Sequence, residues 1–192
     1  MDASIIVYDF DHTIYNGDST LDFYFYCITR RPTIIVYLPA QILGLIKYLL
    51  GIQDKTLFKQ SFFMFLKAFH DIDKTIDAFW IKYQSKIKAW YLLKNHNDDV
   101  IISASPEFLL KPICNKVGVK KLIASKVNKA DGKYSGFNCY GAEKVKRLDR
   151  EFNNYIIEEF YSDSLSDVPL AKLAKRSYFV KKDTIADWNL IK

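Results

Sequence analysis

Asp9-Phe10-Asp11-His12-Thr13 puts two carboxylates one residue apart, directly after the apolar run Ile5-Ile6-Val7-Tyr8. That run reads as a buried strand. Side chains alternate along a strand, so Asp9 and Asp11 are expected on one side as the chain leaves it. Two acids that close repel unless a cation neutralises them, so the spacing implies a metal ion. In isolation a plain Asp-rich turn carries the same signature. Three more polar groups weigh against that reading: Ser103-Ala104-Ser105 after Val100-Ile101-Ile102, Lys144 at the head of a helix, and Asp163-Ser164-Leu165-Ser166-Asp167 after Ile156–Tyr161. His12 is expected on the opposite side of the chain, in a structural or substrate-rim role.

Bringing these groups together requires parallel strands, because open α/β sheets bind ligands beyond the carboxyl ends of their strands. Strands are read at 5–8, 99–103, 122–124, 156–161 and 178–180, with helices at 106–117, 141–152 and 166–175 between them. Pro106 favours the first turn of its helix, Pro112 should kink that helix, and Gly118 stops it. A hairpin is expected over 127–137, around Asn128-Lys129-Ala130-Asp131-Gly132. The expected fold is α/β: a Rossmann-like doubly wound parallel sheet with an inserted all-helical lobe and a small β-hairpin. The insertion, 16–96, interrupts a core made of 1–15 and 97–192.

Four helices are expected in the insertion. Asp18–Arg31 is capped by Asp18 or Ser19 and shows a Leu21/Phe25/Ile28 face; Thr33–Ile52 and Asp54–Phe69 follow. The fourth runs from Asp73 to about Asn95, with Ile76, Phe79, Trp80, Tyr83, Ile87 and Trp90 inward. Phe58, Phe62, Phe65 and Phe69 form a stripe that reads as core. Thr33–Ile52 is apolar nearly all round, with Lys47 its only charge. It approaches the length of a membrane span, but Pro39, Gln41, Gly44 and Lys47 interrupt it. A span there would also separate the first strand from its sheet. The reading preferred is a helix or hairpin buried within the insertion, ahead of a membrane-contacting face. His70 and His96 sit at helix ends as surface or capping residues.

The 192 residues suffice for one α/β domain carrying an insertion, and the net charge is +6. Residues 14–97 hold 11 lysines and arginines against 6 acids, and 17 aromatic residues. Positive charge and aromatic mass thus concentrate in the insertion, which suits an anionic substrate or an anionic membrane. No nucleic-acid-binding module accompanies the charge, so no nucleic acid is expected as a partner. Cys27, Cys114 and Cys139 lack metal-ligand spacing and fit a reducing compartment. No secretory signal is read, and the expected location is cytoplasmic, with or without membrane association.

The four motifs, in this order and over nearly the whole chain, resemble the haloacid dehalogenase superfamily of phosphohydrolases. Its pattern is D-x-D-x-T, a Ser or Thr after an apolar strand, a Lys, and an acidic pair. The helical insertion after the first motif, the 127–137 hairpin and Glu143-Lys144-Val145 are similar to the phosphoserine phosphatase branch, where the insertion is a cap. The resemblance implies that Asp9 is the nucleophile, giving an aspartyl-phosphate. It implies that Asp11 is general acid and then general base, with a raised pKa. Mg2+ would be held by Asp9, the Asp11 backbone carbonyl and Asp163. Ser103 and Lys144 would hold phosphoryl oxygens, Thr13 would fix the first loop, and Asp167 would complete the acidic shell or orient Lys144. The second carboxylate favours phosphoryl transfer over dehalogenation, which needs no proton donor to an alkoxide.

Asp18 stands near the acidic substrate-binding position of that branch, and Ser105 and Ser166 are the other candidates for substrate contact. Phe58-Lys59-Gln60-Ser61 resembles the start of its arginine-bearing helix, but Phe62-Phe63-Met64-Phe65 follows where a carboxylate clamp is expected. Ser166 also replaces the usual Asn. Phosphoserine is therefore disfavoured, since a buried substrate carboxylate without its arginine is costly. A phosphate on an apolar or lipid-like group is expected instead. Phosphatidylglycerophosphate phosphatases of the superfamily look similar in joining these motifs to a hydrophobic cap. A soluble phosphatase for small phosphomonoesters is the alternative; a phosphomutase or a non-catalytic scaffold ranks below both.

Overall fold

The computed structural model describes residues 3–94 and 99–190. Its sheet contains β1 (Ala3–Tyr8), β2 (Asp99–Pro106), β3 (Lys121–Ser125), β4 (Tyr155–Ser162), β5 (Arg176–Lys181) and β6 (Thr184–Asp187). Their order is β3-β2-β1-β4-β5-β6, parallel from β3 through β5, with β6 antiparallel to β5. From β1 the chain winds one way to β2 and β3, and the other way to β4 and β5. The strand order therefore reverses at β1, and the crevice beyond the carboxyl ends of β1 and β4 is where such sheets bind ligands.

Alternation along the strands supplies two cores. Val100 and Ile102 of β2 join Ile5, Val7, Leu148 and Leu170 on one side of the sheet. Ile101, between them, joins Tyr8, Leu109 and the aromatic residues of the insertion on the other side. The first core is closed by α7 (Ala142–Glu151) and α8 (Val168–Ala171), and the second by α6 (Glu107–Lys116).

The insertion comprises α1 (Ser19–Arg30), α2 (Leu38–Leu49), α3 (Lys55–Phe62), α4 (Asp73–Tyr83) and α5 (Ala89–Leu92). Its two connections to the sheet pair with one another. Tyr15 bridges Ile87 antiparallel, Asn16 N–H donates to the Lys86 carbonyl at 2.8 Å, and Lys88 N–H to the Ile14 carbonyl at 2.8 Å. Asp18 is the cap of α1, accepting from Leu21 N–H at 2.9 Å.

Several elements differ from the sequence reading. Residues 23–28 are apolar or aromatic at nearly every position, so periodicity does not choose a face of α1. Phe23, Tyr24, Tyr26 and Cys27 are buried, while Leu21 and Phe25 are exposed. The fourth insertion helix is not continuous to Asn95, which lies outside the described residues, as does His96. It stops at Tyr83, and Ile87 adopts an extended backbone to pair with Tyr15, because the chain must return to the sheet there. Thr33–Ile52 is not buried in the insertion. A 3-10 turn over Pro32–Tyr37 leads into α2, and only 17% of Pro32–Leu49 is buried. Pro106 ends β2 and occupies the cap position of α6 rather than its first turn. The helix expected over 166–175 reduces to a 3-10 turn and α8, and the hairpin over 127–137 to a single bridge, Val127 with Tyr134. Strand β6 was not anticipated.

Candidate active site

A cleft of about 420 Å3 opens beyond the carboxyl ends of β1, β2 and β4, with α1 and α3 beside it. Asp9, Asp11, Asp18, Ser103, Ser105, Lys144, Asp163, Ser166 and Asp167 all line it. Of the residues picked from the sequence, Thr13 alone stands behind the lining, fully buried.

Asp9 directly follows β1, and its N–H still donates to the Tyr161 carbonyl of β4 at 2.9 Å. Its Oδ1 accepts from Lys144 Nζ at 2.8 Å. The same ammonium donates to Asp167 Oδ2 at 2.7 Å, and that oxygen also accepts from Ser162 Oγ at 2.8 Å. The Lys144 side chain is 3% exposed. Burial opposes its charge, but Asp9 and Asp167 outweigh burial and hold it protonated above the usual lysine range. Gly141 sets this placement, since its left-handed φ of 57° turns the chain into α7 with Lys144 in the first turn.

Asp11 faces other partners. Its Oδ1 accepts from Ser19 N–H at 2.7 Å, at the start of α1, and its Oδ2 from Ser105 Oγ. Thr20 Oγ1 lies 2.9 Å from Ser105 Oγ, and Ser105 N–H donates to Ser103 Oγ at 3.1 Å. Burial raises the Asp11 pKa and Asp18 adds to the rise, against the pull of the two serine contacts. Asp9 and Asp11 thus share one cleft in different settings, one ion-paired to a buried ammonium and the other bonded to neutral donors.

The loop after them turns at His12, whose φ of 57° lies in the left-handed region. His12 N–H donates to the Gly17 carbonyl at 2.9 Å, and its carbonyl accepts from Lys88 Nζ at 2.7 Å. Thr13 Oγ1 accepts from Asp163 N–H at 3.0 Å and donates to Asp163 Oδ1 at 3.3 Å, joining this loop to the one after β4. Ser166 Oγ lies 2.8 Å from Ser164 Oγ.

From the insertion the sequence reading named Asp18, but not Lys59 or Lys55, as a site residue. Lys59 reaches into the cleft from α3 and donates to the Ala104 carbonyl at 2.9 Å. Burial pushes its pKa down to about 8, against the pull of Asp11 and Asp18. Lys55 Nζ sits 3.3 Å from the centre of the Tyr140 ring, a cation–π contact at the cleft wall. The signal was present: Lys55, Phe58, Lys59 and Phe62, all cleft-lining, recur at i, i+3, i+4 and i+7 of α3.

The donor set suits a hard divalent cation. Burial pushes Asp9 up to about 7 despite Lys144, with Asp167 and Asp11 adding to the rise, and burial raises Asp163 too. Asp167 Oδ1 is buried without a hydrogen-bond partner among the described residues. Negative charge therefore exceeds what Lys144 offsets, and the groups that carry it, Asp9, Asp11, Asp163 and Asp167, offer oxygens. Among the described residues no three or more His, Cys, Asp or Glu side chains close a cage. Mg2+ fits such a site, because it keeps several waters and takes only one or two carboxylates.

The sequence model of a family described as haloacid dehalogenase-like hydrolase matches residues 6–172. A protein named "Probable phosphatase" from Mycobacterium tuberculosis is 34% identical over 94 residues, 45% of this chain and 32% of that one. A protein named "Histidinol-phosphatase" from Neisseria meningitidis is 29% identical over 101 residues, 45% of each. The chain thus spans less than half the length of these curated relatives. In fold, it resembles a Bordetella pertussis protein of unknown function, with TM-score 0.71 and 20% identity over 92% of this chain and 89% of that one. It also resembles a phosphoserine phosphohydrolase-like protein from Francisella tularensis, with TM-score 0.56 and 16% identity over 92% of this chain and 86% of that one.

Proposed function

Because the chain belongs to the haloacid dehalogenase-like hydrolases, we propose that it is a Mg2+-dependent phosphomonoester hydrolase working through an aspartyl-phosphate on Asp9. The observation that carries this reading is the pair of adjacent carboxylates held in different settings. Lys144 fixes one oxygen of Asp9, and the other attacks phosphorus. As that O–P bond forms, the ester P–O bond breaks, and Asp11 gives its proton to the leaving oxygen. A water then attacks the acyl phosphate while Asp11 takes its proton, releasing phosphate and restoring Asp9. A raised pKa is what the first role of Asp11 needs, and Ser19 and Ser105 aim its carboxyl. Ser103 and Lys144, which both line the cleft, would hold phosphoryl oxygens. Mg2+, held by Asp9, Asp163 and the Asp11 carbonyl, would offset charge on the phosphoryl group. Asp167 keeps Lys144 in place.

The substrate we infer is a phosphate on an apolar or lipid-like group. Leu21, Phe58, Phe62, Phe63 and Tyr140 give the cleft an apolar wall, with Lys59 and Lys55 as cations beside it. Asp18 has one oxygen committed to capping α1, which weakens it as a binder of a substrate amine. The relative named histidinol-phosphatase supports a second reading, a small soluble phosphomonoester. The buried, unbridged Cys27, Cys114 and Cys139 support a cytoplasmic setting.

Hydrolysis of a chromogenic aryl phosphate with Mg2+ tests the chemistry. Asp9→Asn is expected to lower kcat by at least about 10²-fold, and unchanged turnover would remove the nucleophile assignment. A phosphomonoester panel with short-chain lipid phosphates and histidinol phosphate separates the two substrate readings by kcat/KM.

A further inference from the structure

Helix α2 is built inside out. Its buried residues are Gln41 and Gly44, while Ile42, Leu43, Ile46 and Leu49 are 48%, 52%, 46% and 73% exposed. In a water-facing helix the polar residues lie outside. Gln41 is used as an internal tie, its Oε1 accepting from Tyr24 Oη at 2.7 Å and its Nε2 donating to the Phe62 carbonyl at 2.8 Å. Gly44 lets α2 press onto α3, since a Cβ there would come within 2.6 Å of Ser61 Cβ. The inner face of α2 is therefore fixed by specific packing, and its apolar face is turned outward.

Charge says what covers that face. No Asp or Glu occurs between Asp22 and Asp54, whereas Arg30, Arg31 and Lys47 fall in that stretch, all exposed. An exposed apolar face on a stretch that carries exposed cations and no acids matches a bilayer with anionic headgroups. Pro32–Leu49 is long and apolar enough by composition to cross a membrane. However, Gln41 is tied to Tyr24 and Phe62, and Gly44 packs on Ser61, so the inner side of α2 is committed to protein and only its outer face is free to meet such a surface. The cleft is one helix behind. Tyr48 of α2 stacks on Phe58 of α3 at 5.3 Å, and Phe58 lines the cleft.

We propose that the outward face of α2, with the preceding 3-10 turn, docks this protein peripherally on an anionic membrane surface. Docking rests on α2 alone and stands or falls separately from the hydrolase reading. The test is flotation with vesicles of phosphatidylcholine, with and without one-third phosphatidylglycerol. Light scattering of the free protein and aryl phosphate turnover are measured alongside. Wild type is expected to float with anionic vesicles. Leu43→Glu/Ile46→Glu/Leu49→Glu should stay down while retaining aryl phosphate turnover, as these side chains are exposed and outside the cleft. Arg31→Gln/Lys47→Gln should weaken binding by about fivefold per charge removed. The proposal is overturned if wild type fails to float, or if the triple variant floats equally well. It is also overturned if the free protein is a dimer that the triple variant makes monomeric, since the face would then cover a second copy.

Discussion

Lys59 joins a feature of burial to a feature of rate. An ammonium in the cleft draws an anionic substrate, and burial brings its loss of charge down to about 8. We expect kcat/KM to fall above about pH 8 through a rise in KM, and Lys59→Gln to abolish that alkaline limb while lowering the plateau; an unchanged limb in the variant would clear Lys59 of the effect. Stability has the opposite sign. The ordinary lysine value is 10.5, so between about 8 and 10.5 the unfolded chain holds the proton that the folded one has released. The contribution of Lys59 to stability therefore rises with pH across that window. Asp9, Asp11, Ser103, Lys144, Asp163 and Asp167 were legible in sequence because each follows an apolar strand or opens a helix at fixed spacing. Lys59 was only partly so: its spacing with Lys55, Phe58 and Phe62 marks one side of α3, but that this side meets the cleft depends on tertiary packing.

At the scale of elements, the first loop depends on a residue from the far end of the insertion. Lys88, in the return connection, donates to the His12 carbonyl at 2.7 Å and to the Lys182 carbonyl beyond β5. It thereby supports a backbone turn that only the left-handed φ of His12 makes possible. Lys88→Met would leave two carbonyls without their donor. The expected cost is about 2 kcal/mol, read as a fall in Tm of about 4–8 °C for a chain of this size; an unaltered Tm would show the contact to be dispensable. This arrangement was illegible in sequence, where helical periodicity through Trp90 concealed the break at Tyr83. The apolar length of Thr33–Ile52 was legible, but its direction was not. Hydrophobicity says that a face avoids water, not whether protein covers it. The outward turn of α2 is fixed by Gln41 and Gly44, which sequence alone presented as interruptions.

Across the whole molecule, the winding of the sheet was readable because alternating strand and helix patterns admit few topologies. Strand β6 escaped notice as a four-residue edge element with mostly exposed side chains. With the proposed cation in place, the excess of buried acids would make it part of folding as well as of chemistry. Mg2+ is expected to raise Tm, by about 2.7 kcal/mol of added stability at one hundred times its Kd, and the rise should shrink sharply in Asp163→Asn. A wild-type Tm insensitive to Mg2+ would count against the assigned site. The setting of Asp11 bears on modularity. Its carboxylate is held by Ser105 from the sheet and by Ser19 from the first turn of the insertion. The insertion is therefore no interchangeable cassette. A chimera that took its insertion from another protein at residue 16 would import half of the anchorage of Asp11, so with Asp11 as the proposed proton donor it is expected to be slow on every substrate until that seam is refitted.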